Sequence, residues 1–206
     1  MIPARAALDR LREGNARFSA DVSRRVTSRR KRRELAAALA PFAIVLGCSD
    51  SRVPAEIVFD QGLGDLFVIR VAGNIVAPSQ VGSVEFAAER FDTRLVVVLG
   101  HSSCGAILAT LEQLQRPSTE QSPGLRSIVD RIRPAVEGLL GRGGSPDALL
   151  REAVRANIRL AANELRHGSE ILEDLIAREG LLVVGAEYSL DSGVVAFFDG
   201  APDAGG

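Results

Sequence analysis

Two short stretches hold the side chains of this sequence best suited to chemistry. In CSDSR (48–52) a cysteine, an aspartate and an arginine occupy alternate positions, and in GHSSCG (100–105) a histidine precedes a cysteine by three residues. Cys48, His101 and Cys104 make a soft donor set that suits tetrahedral zinc, with sulfur at roughly 2.3 Å and nitrogen at 2.0–2.1 Å. Three protein donors leave a fourth corner for solvent, which distinguishes catalytic from structural zinc. Two thiolates neutralise the cation, so water there is acidified less than by three imidazoles and needs help from its surroundings. Asp50 and Arg52 are the candidates for that help. In an extended segment they lie on the same side as Cys48, and an aspartate beside an arginine stays ionised. Such a carboxylate accepts the proton of a hydroxide on the ion and aims its lone pair at an electrophile. Without the arginine, Asp50 would fall onto the metal, so it is also a candidate fourth ligand.

Other readings of the same residues compete. A free cysteine is often a small buried hydrophobe, and a Cys48–Cys104 disulfide would leave His101 unexplained. A thiol redox protein predicts a reversible disulfide in metal-free material, and a non-catalytic zinc-stabilised binding module predicts that Asp50 is dispensable. His167 reads as a surface or boundary residue.

The elements that must bring these residues together are legible as apolar runs separated by helical patterns. Runs at 42–46, 66–71, 95–99 and 181–186 are apolar apart from Arg70, as expected of parallel strands covered on both faces. The run at 194–198 follows LDSG closely enough to be an antiparallel hairpin partner at an edge. Helices are expected over 79–91 and 103–114. A further helical region, 127–179, is broken at GLLGRGGSPD, where Ser145 or Asp147 caps the next helix, and again near Ser169. The fold class is α/β, a mainly parallel sheet of order 2-1-3-4 plus the antiparallel edge strand, flanked by helices. In such a sheet ligands bind beyond the carboxyl ends of strands where the chain order reverses. Cys48 follows the first strand and His101 the third, so both open into one crevice. Ser102 or Ser103 caps a helix there, with Cys104 in its first turn.

The chain of 206 residues reads as one domain, with residues 1–40 an amphipathic helical arm and the tail DGAPDAGG loose. Lys and Arg number 25 against 26 Asp and Glu; this balance argues against nucleic acid and anionic membrane as partners. The basic run SRRVTSRRKRREL lacks interleaved aromatics and reads as a solvated helix face or a subunit contact. No apolar run is long enough to span a bilayer. The amino terminus has no secretory h-region, and two cysteines make no disulfide scaffold. A cytoplasmic protein is the expectation.

With both motifs assembled, the sequence resembles the β-class carbonic anhydrases. The likeness rests on CSDSRVPAEIVFDQGLGDLFVIRVAGN (48–74) and GHSSCGAI (100–107), supported by LDRLREGNARF, VRANIRLA and LVVGAEYSLDSG. It implies one zinc per subunit on Cys48, His101 and Cys104, and Asp50 and Arg52 as a catalytic dyad. It implies reversible hydration of carbon dioxide to bicarbonate and a proton, with hydrolysis of a related cumulene such as carbonyl sulfide or carbon disulfide as the alternative. It also implies a homodimer or homotetramer, the amino-terminal helices lying over a partner. Some members have an inhibitory bicarbonate pocket of tryptophan, arginine and tyrosine. The corresponding positions are Val45, Arg70 and Phe86, so that pocket is not expected. The substrate-side glutamine of plant-type members falls one position from Gln61, and its role is not carried over.

Overall fold

The computed structural model describes residues 2–23, 28–117, 121–141 and 143–202. Its centre is a five-stranded sheet of order β2-β1-β3-β4-β5, formed by β1 (Ala43–Gly47), β2 (Leu66–Arg70), β3 (Leu95–His101), β4 (Leu182–Tyr188) and β5 (Val195–Asp199). The first four strands are parallel and β5 pairs antiparallel with β4. The expected order and edge strand are both realised. Every residue of β1 and β3 is buried, which explains why their sequences are apolar without alternation. Alternation survives in which core each side chain enters. Ile44, Leu46, Val96 and Val98 face one cluster, while Ala43, Val45, Leu95, Val97 and Leu99 face the other.

The first face is covered by α4 (Pro78–Arg90), α5 (Gly105–Gln115), α6 (Pro123–Val136), α7 (Pro146–His167) and α8 (Glu170–Glu179). Serines end the connecting loops as expected: Ser145 Oγ accepts from the Ala148 amide and Ser169 Oγ from the Leu172 amide. The helical region expected to begin at 127 begins earlier. Ser122 caps α6 by accepting from Leu125, and Pro123 fits the first turn, where no amide donor is missed.

The opposite face is covered by α1 (Ala4–Ser19) and the short α3 (Ala55–Val58). The expected arm is thus two different things. The apolar face of α1 is spent on this chain's own sheet: Leu8 and Leu11 are fully buried, each contributing about 1.5–3 kcal/mol of transfer free energy. Asn15 completes the docking. Its Nδ2 donates to the carbonyls of Val58 and Gly193, and its Oδ1 accepts from the Val195 amide. By contrast α2 (Arg29–Ala37) buries no residue. Of the basic run, residues 24–27 lie outside the described residues, as do residue 142 in the expected helix break and 203–206 of the tail.

Candidate metal centre and active site

The chain reverses its spatial order between β1, whose next strand lies on one side, and β3 on the other. Cys48 is the first residue past β1. His101 is the last residue of β3, two residues beyond the expected strand end, and pairs across the ladder with Tyr188. The turn after it is tied to the neighbouring strand. The Ser102 amide donates to the Tyr188 carbonyl, and Ser102 Oγ accepts from the Leu190 amide. Ser103 adopts the left-handed conformation (φ 55°). Neither serine caps α5 as expected. Cys104 itself occupies the N-cap position and makes no side-chain cap hydrogen bond, which leaves its sulfur for the crevice.

The three donor atoms, Cys48 Sγ, Cys104 Sγ and one ring nitrogen of His101, lie within 4.8 Å of one another, and all three residues are buried. The sulfurs are 4.0 Å apart and form no disulfide. A tetrahedral ion with sulfur ligands at about 2.3 Å requires an S···S edge of roughly 3.8 Å, so the spacing fits a shared metal. The histidine fits too. Its Nδ1 is 2.9 Å from the Ser102 carbonyl, an acceptor, so Nδ1 carries the proton and Nε2 turns its lone pair inward. Among the described residues Nε2 is buried with no hydrogen-bond partner, an arrangement that costs a desolvation penalty unless something electrophilic meets it.

The electrostatics point the same way. The hydrogen bond from Cys104 pulls the Cys48 thiol down to about 4, against the burial that raises it; His101 and the amide of Gly73 reinforce the pull. Cys104 is pushed up by the same partner and by burial. A cation held by both sulfurs would displace their protons. Burial disfavours the charged form of His101, but the nearby Cys48 sulfur favours it and outweighs that, raising its pKa.

Asp50 stands beside this group. Arg52 grips it with both arms, Nε to Oδ1 at 2.9 Å and Nη2 to Oδ2 at 2.7 Å, and the Arg52 amide adds a bond to Oδ1 at 3.0 Å. These hydrogen bonds hold its carboxyl well below the usual carboxylate range despite partial burial. Its Oδ2 lies 3.8 Å from His101 Nε2, near enough to meet a small molecule on the donors while occupied by the arginine.

Three further groups shape the centre, and none was identified from sequence as serving it. The Gly73 amide donates to Cys48 Sγ at 3.4 Å from a left-handed backbone (φ 70°), where a Cβ would come within 2.9 Å of Ile132. Asn157 on α7 fixes that turn through its Nδ2 to the Gly73 carbonyl at 2.8 Å. Arg70 reaches from β2 to the carbonyls of Cys48 and Asp50. A polar Asn157 within the buried stripe of Val154, Ile158 and Ala161 was the available signal for the second of these. Gln61 is committed elsewhere: its Nε2 donates to the Phe59 carbonyl and its Oε1 accepts from Arg10 on α1. Val45 and Phe86 sit on opposite faces of the sheet, Val45 in the cluster beneath α1 and Phe86 against Phe67 and Phe91. His167 is an exposed residue at the end of α7.

A crossover sheet carrying a Cys-His-Cys group at its switch point, with a carboxylate clamped alongside, defines an α/β protein built around a group of side chains that could hold a metal ion. A family model described as carbonic anhydrase matches residues 43–195. Carbonic anhydrase 2 of Mycobacterium tuberculosis is 41% identical over 191 residues, covering 91% of this chain and 89% of that protein. The carbonic anhydrase of Mycolicibacterium smegmatis is 41% identical over 192 residues, covering 92% and 91%. Among solved structures, the β-carbonic anhydrase CafA of Aspergillus fumigatus superposes with a TM-score of 0.75 at 25% identity, covering 96% of this chain and 91% of that one. One of two tetrameric β-carbonic anhydrases of Sordaria macrospora superposes at 0.71 with 23% identity, covering 81% and 84%, a likeness of fold. The chain belongs to the β-class carbonic anhydrases, enzymes that reversibly hydrate carbon dioxide.

Proposed function

We propose that this enzyme hydrates carbon dioxide with one zinc ion per subunit, held by Cys48, His101 and Cys104, and with Asp50 and Arg52 as the catalytic pair. The observation that carries the proposal is the buried, unpartnered Nε2 of His101 facing two thiols, with the ionised Asp50 carboxylate 3.8 Å away. When bound, the zinc supplies the Lewis acidity that brings the pKa of water from 15.7 toward neutrality, as it does in the three-histidine carbonic anhydrases. The protein's own groups do the rest. Asp50 accepts a hydrogen bond from the attacking hydroxide and so turns its lone pair toward the carbon of the substrate. The new C–O bond forms as one C=O electron pair moves onto its oxygen, giving bicarbonate. Arg52 keeps Asp50 ionised and oriented through both bonds of its fork. The Ser102 carbonyl holds the His101 ring by its Nδ1 proton, and the Gly73 amide steadies the Cys48 sulfur. Bicarbonate would leave to solvent, and the proton lost by the water that regenerates the hydroxide would pass to buffer.

This arrangement favours hydration over a non-catalytic binding role, because metal retention alone gives no purpose to a carboxylate clamped beside the donors. It favours hydration over thiol redox chemistry, because that would leave the inward Nε2 without a function. The test combines zinc content with stopped-flow carbon dioxide hydration on the full chain. One zinc per chain and hydration well above buffer are expected; metal-loaded protein with no activity at alkaline pH sinks the proposal. A homo-oligomer is part of this reading, supported by the tetrameric state named for the Sordaria relatives. Among the described residues no helix is long and apolar enough to cross a membrane, and two buried unbridged thiols suit a reducing cytoplasm.

A further inference from the structure

We propose that Arg70 is a positioning residue for this reaction, one that fixes the backbone of the Cys48–Asp50 turn and thereby holds the Asp50 carboxylate beside the metal donors instead of among them. The inference rests on the zinc-hydration reading above and deepens it.

The sheet runs out beside this turn. Main-chain pairing between the ends of β1 and β2 continues through Val71 N to the Gly47 carbonyl (3.1 Å) and Ser49 N to the Val71 carbonyl (3.3 Å). Past that point the chain after β2 turns away into a single 3-10 turn, Ala72–Asn74. Arg70 takes over with its side chain. Its Nε donates to the Cys48 carbonyl at 3.1 Å, and its Nη2 donates to the Asp50 carbonyl at 2.6 Å. Two bonds from one planar guanidinium to carbonyls two residues apart fix rotation as well as position, which a single ammonium cannot do.

Asp50 needs that restraint. Its Oδ2 is already 3.8 Å from His101 Nε2, so a short swing of the turn would bring the carboxylate into the open corner of the donor set. Arg52 cannot prevent this alone, because it lies two residues along the same turn, is more than half exposed and travels with it. Arg70 sits on a strand locked into the sheet by its register with Gly47. Among the described side chains that grip this turn, it is the one that refers the turn to the rigid frame. The family resemblance places the same arginine in a different role, as one position of an inhibitory pocket whose other two positions are Val45 and Phe86 here; the geometry gives it this separate employment.

The test uses Arg70→Met, which keeps an unbranched stem and loses the fork, and Arg70→Lys, which keeps one charged donor. Each is prepared as the zinc-loaded full chain for kinetics and as the cobalt(II)-substituted chain for spectroscopy, with thiocyanate as a probe of the exchangeable coordination position. Wild-type cobalt protein is expected to change its visible spectrum on thiocyanate addition. Arg70→Met is expected to keep one metal per chain and lose that response. Its kcat falls about 10- to 100-fold with KM little changed, the range for a lost contact that orients metal ligands. Adding Asp50→Ala to Arg70→Met vacates the corner and restores the thiocyanate response, which a merely structural role would not predict. Arg70→Lys falls between. An Arg70→Met protein that matches wild type in kcat and thiocyanate response overturns the proposal. So does a double variant that stays silent, or a variant whose only defect is loss of metal. If Arg70→Met does not fold, Arg70→Lys decides, and wild-type behaviour there is equally fatal. The spectral readout needs no turnover, so a responsive but inactive wild-type protein would defeat the proposed reaction while leaving the role of Arg70 readable.

Discussion

Asp50 concentrates the residue-scale logic, because the role proposed for it requires an anion that stays off the metal. Asp50→Asn preserves shape and removes the charge, so it separates the two parts of the centre. Zinc content is expected to stay at one per chain while kcat drops about 10²- to 10⁴-fold, the usual worth of a positioned proton-accepting group. Metal analysis beside stopped-flow hydration checks this, and a variant that keeps both zinc and full turnover removes Asp50 from the mechanism. A different carboxylate tests burial without touching the centre. Glu164 on α7 has its pKa raised by burial, against the pull of Arg131. A raised carboxyl pKa means that stability is complete below the unfolded value, near 4.3, and is lost as pH climbs through the folded value. Glu164→Gln should therefore raise the thermal midpoint at pH 8 and leave it unchanged near pH 4; equal effects at both would assign the gain to something other than charge burial.

Elements explain why the site could be read in the sequence and where that reading stopped. Cys48 and His101 were legible because apolar strands AIVLG and LVVVLG deliver them, and strand order follows from crossover rules. Arg70, Gly73 and Asn157 were not, because their roles are set by which carbonyl or sulfur a side chain or amide meets across 22, 25 and 84 residues of chain. No spacing encodes that. The amino-terminal helix shows the same limit. Its periodicity announced an apolar face but not which surface covers it, and the structure places that face on its own sheet. Gly14 makes the docking possible: a Cβ there would lie 1.9 Å from the Phe59 carbonyl oxygen, so α1 lies almost backbone to backbone on the end of α3. Gly14→Ala is expected to lower the thermal midpoint by several degrees, although alanine is the better helix former. Gly82→Ala on α4 is the control. A Cβ there meets nothing within 4 Å, and the helix gains up to about 1 kcal/mol. Scanning calorimetry on both should give opposite signs; a stabilised Gly14→Ala would mean that α1 is not packed as described.

At the scale of the whole molecule, the centre lies where two halves of the sheet diverge, and metal there would act as a staple between them. Cys48 belongs to the β1–β2 side, while His101 and Cys104 belong to β3 and the start of α5. The main-chain ladder already joins β1 to β3 from Ile44–Val96 to Gly47–Leu99, and both faces are packed, so the donors are held together by the fold before any ion arrives. This separates the protein from small zinc domains that are unfolded without metal. Removal of zinc with a strong chelator should leave far-ultraviolet circular dichroism nearly unchanged. Stability should fall by the linkage contribution, about 4 kcal/mol when free zinc is a thousandfold above its dissociation constant. At roughly 2–4 °C per kcal/mol for a chain of this size, the midpoint should drop by about 8–16 °C and recover on adding zinc. If the chelated protein loses its secondary structure at 25 °C, the sheet does not preorganise the donors and the metal must fold the site it occupies. If the midpoint does not move at all, Cys48, His101 and Cys104 do not hold the ion, and the catalytic reading fails with them.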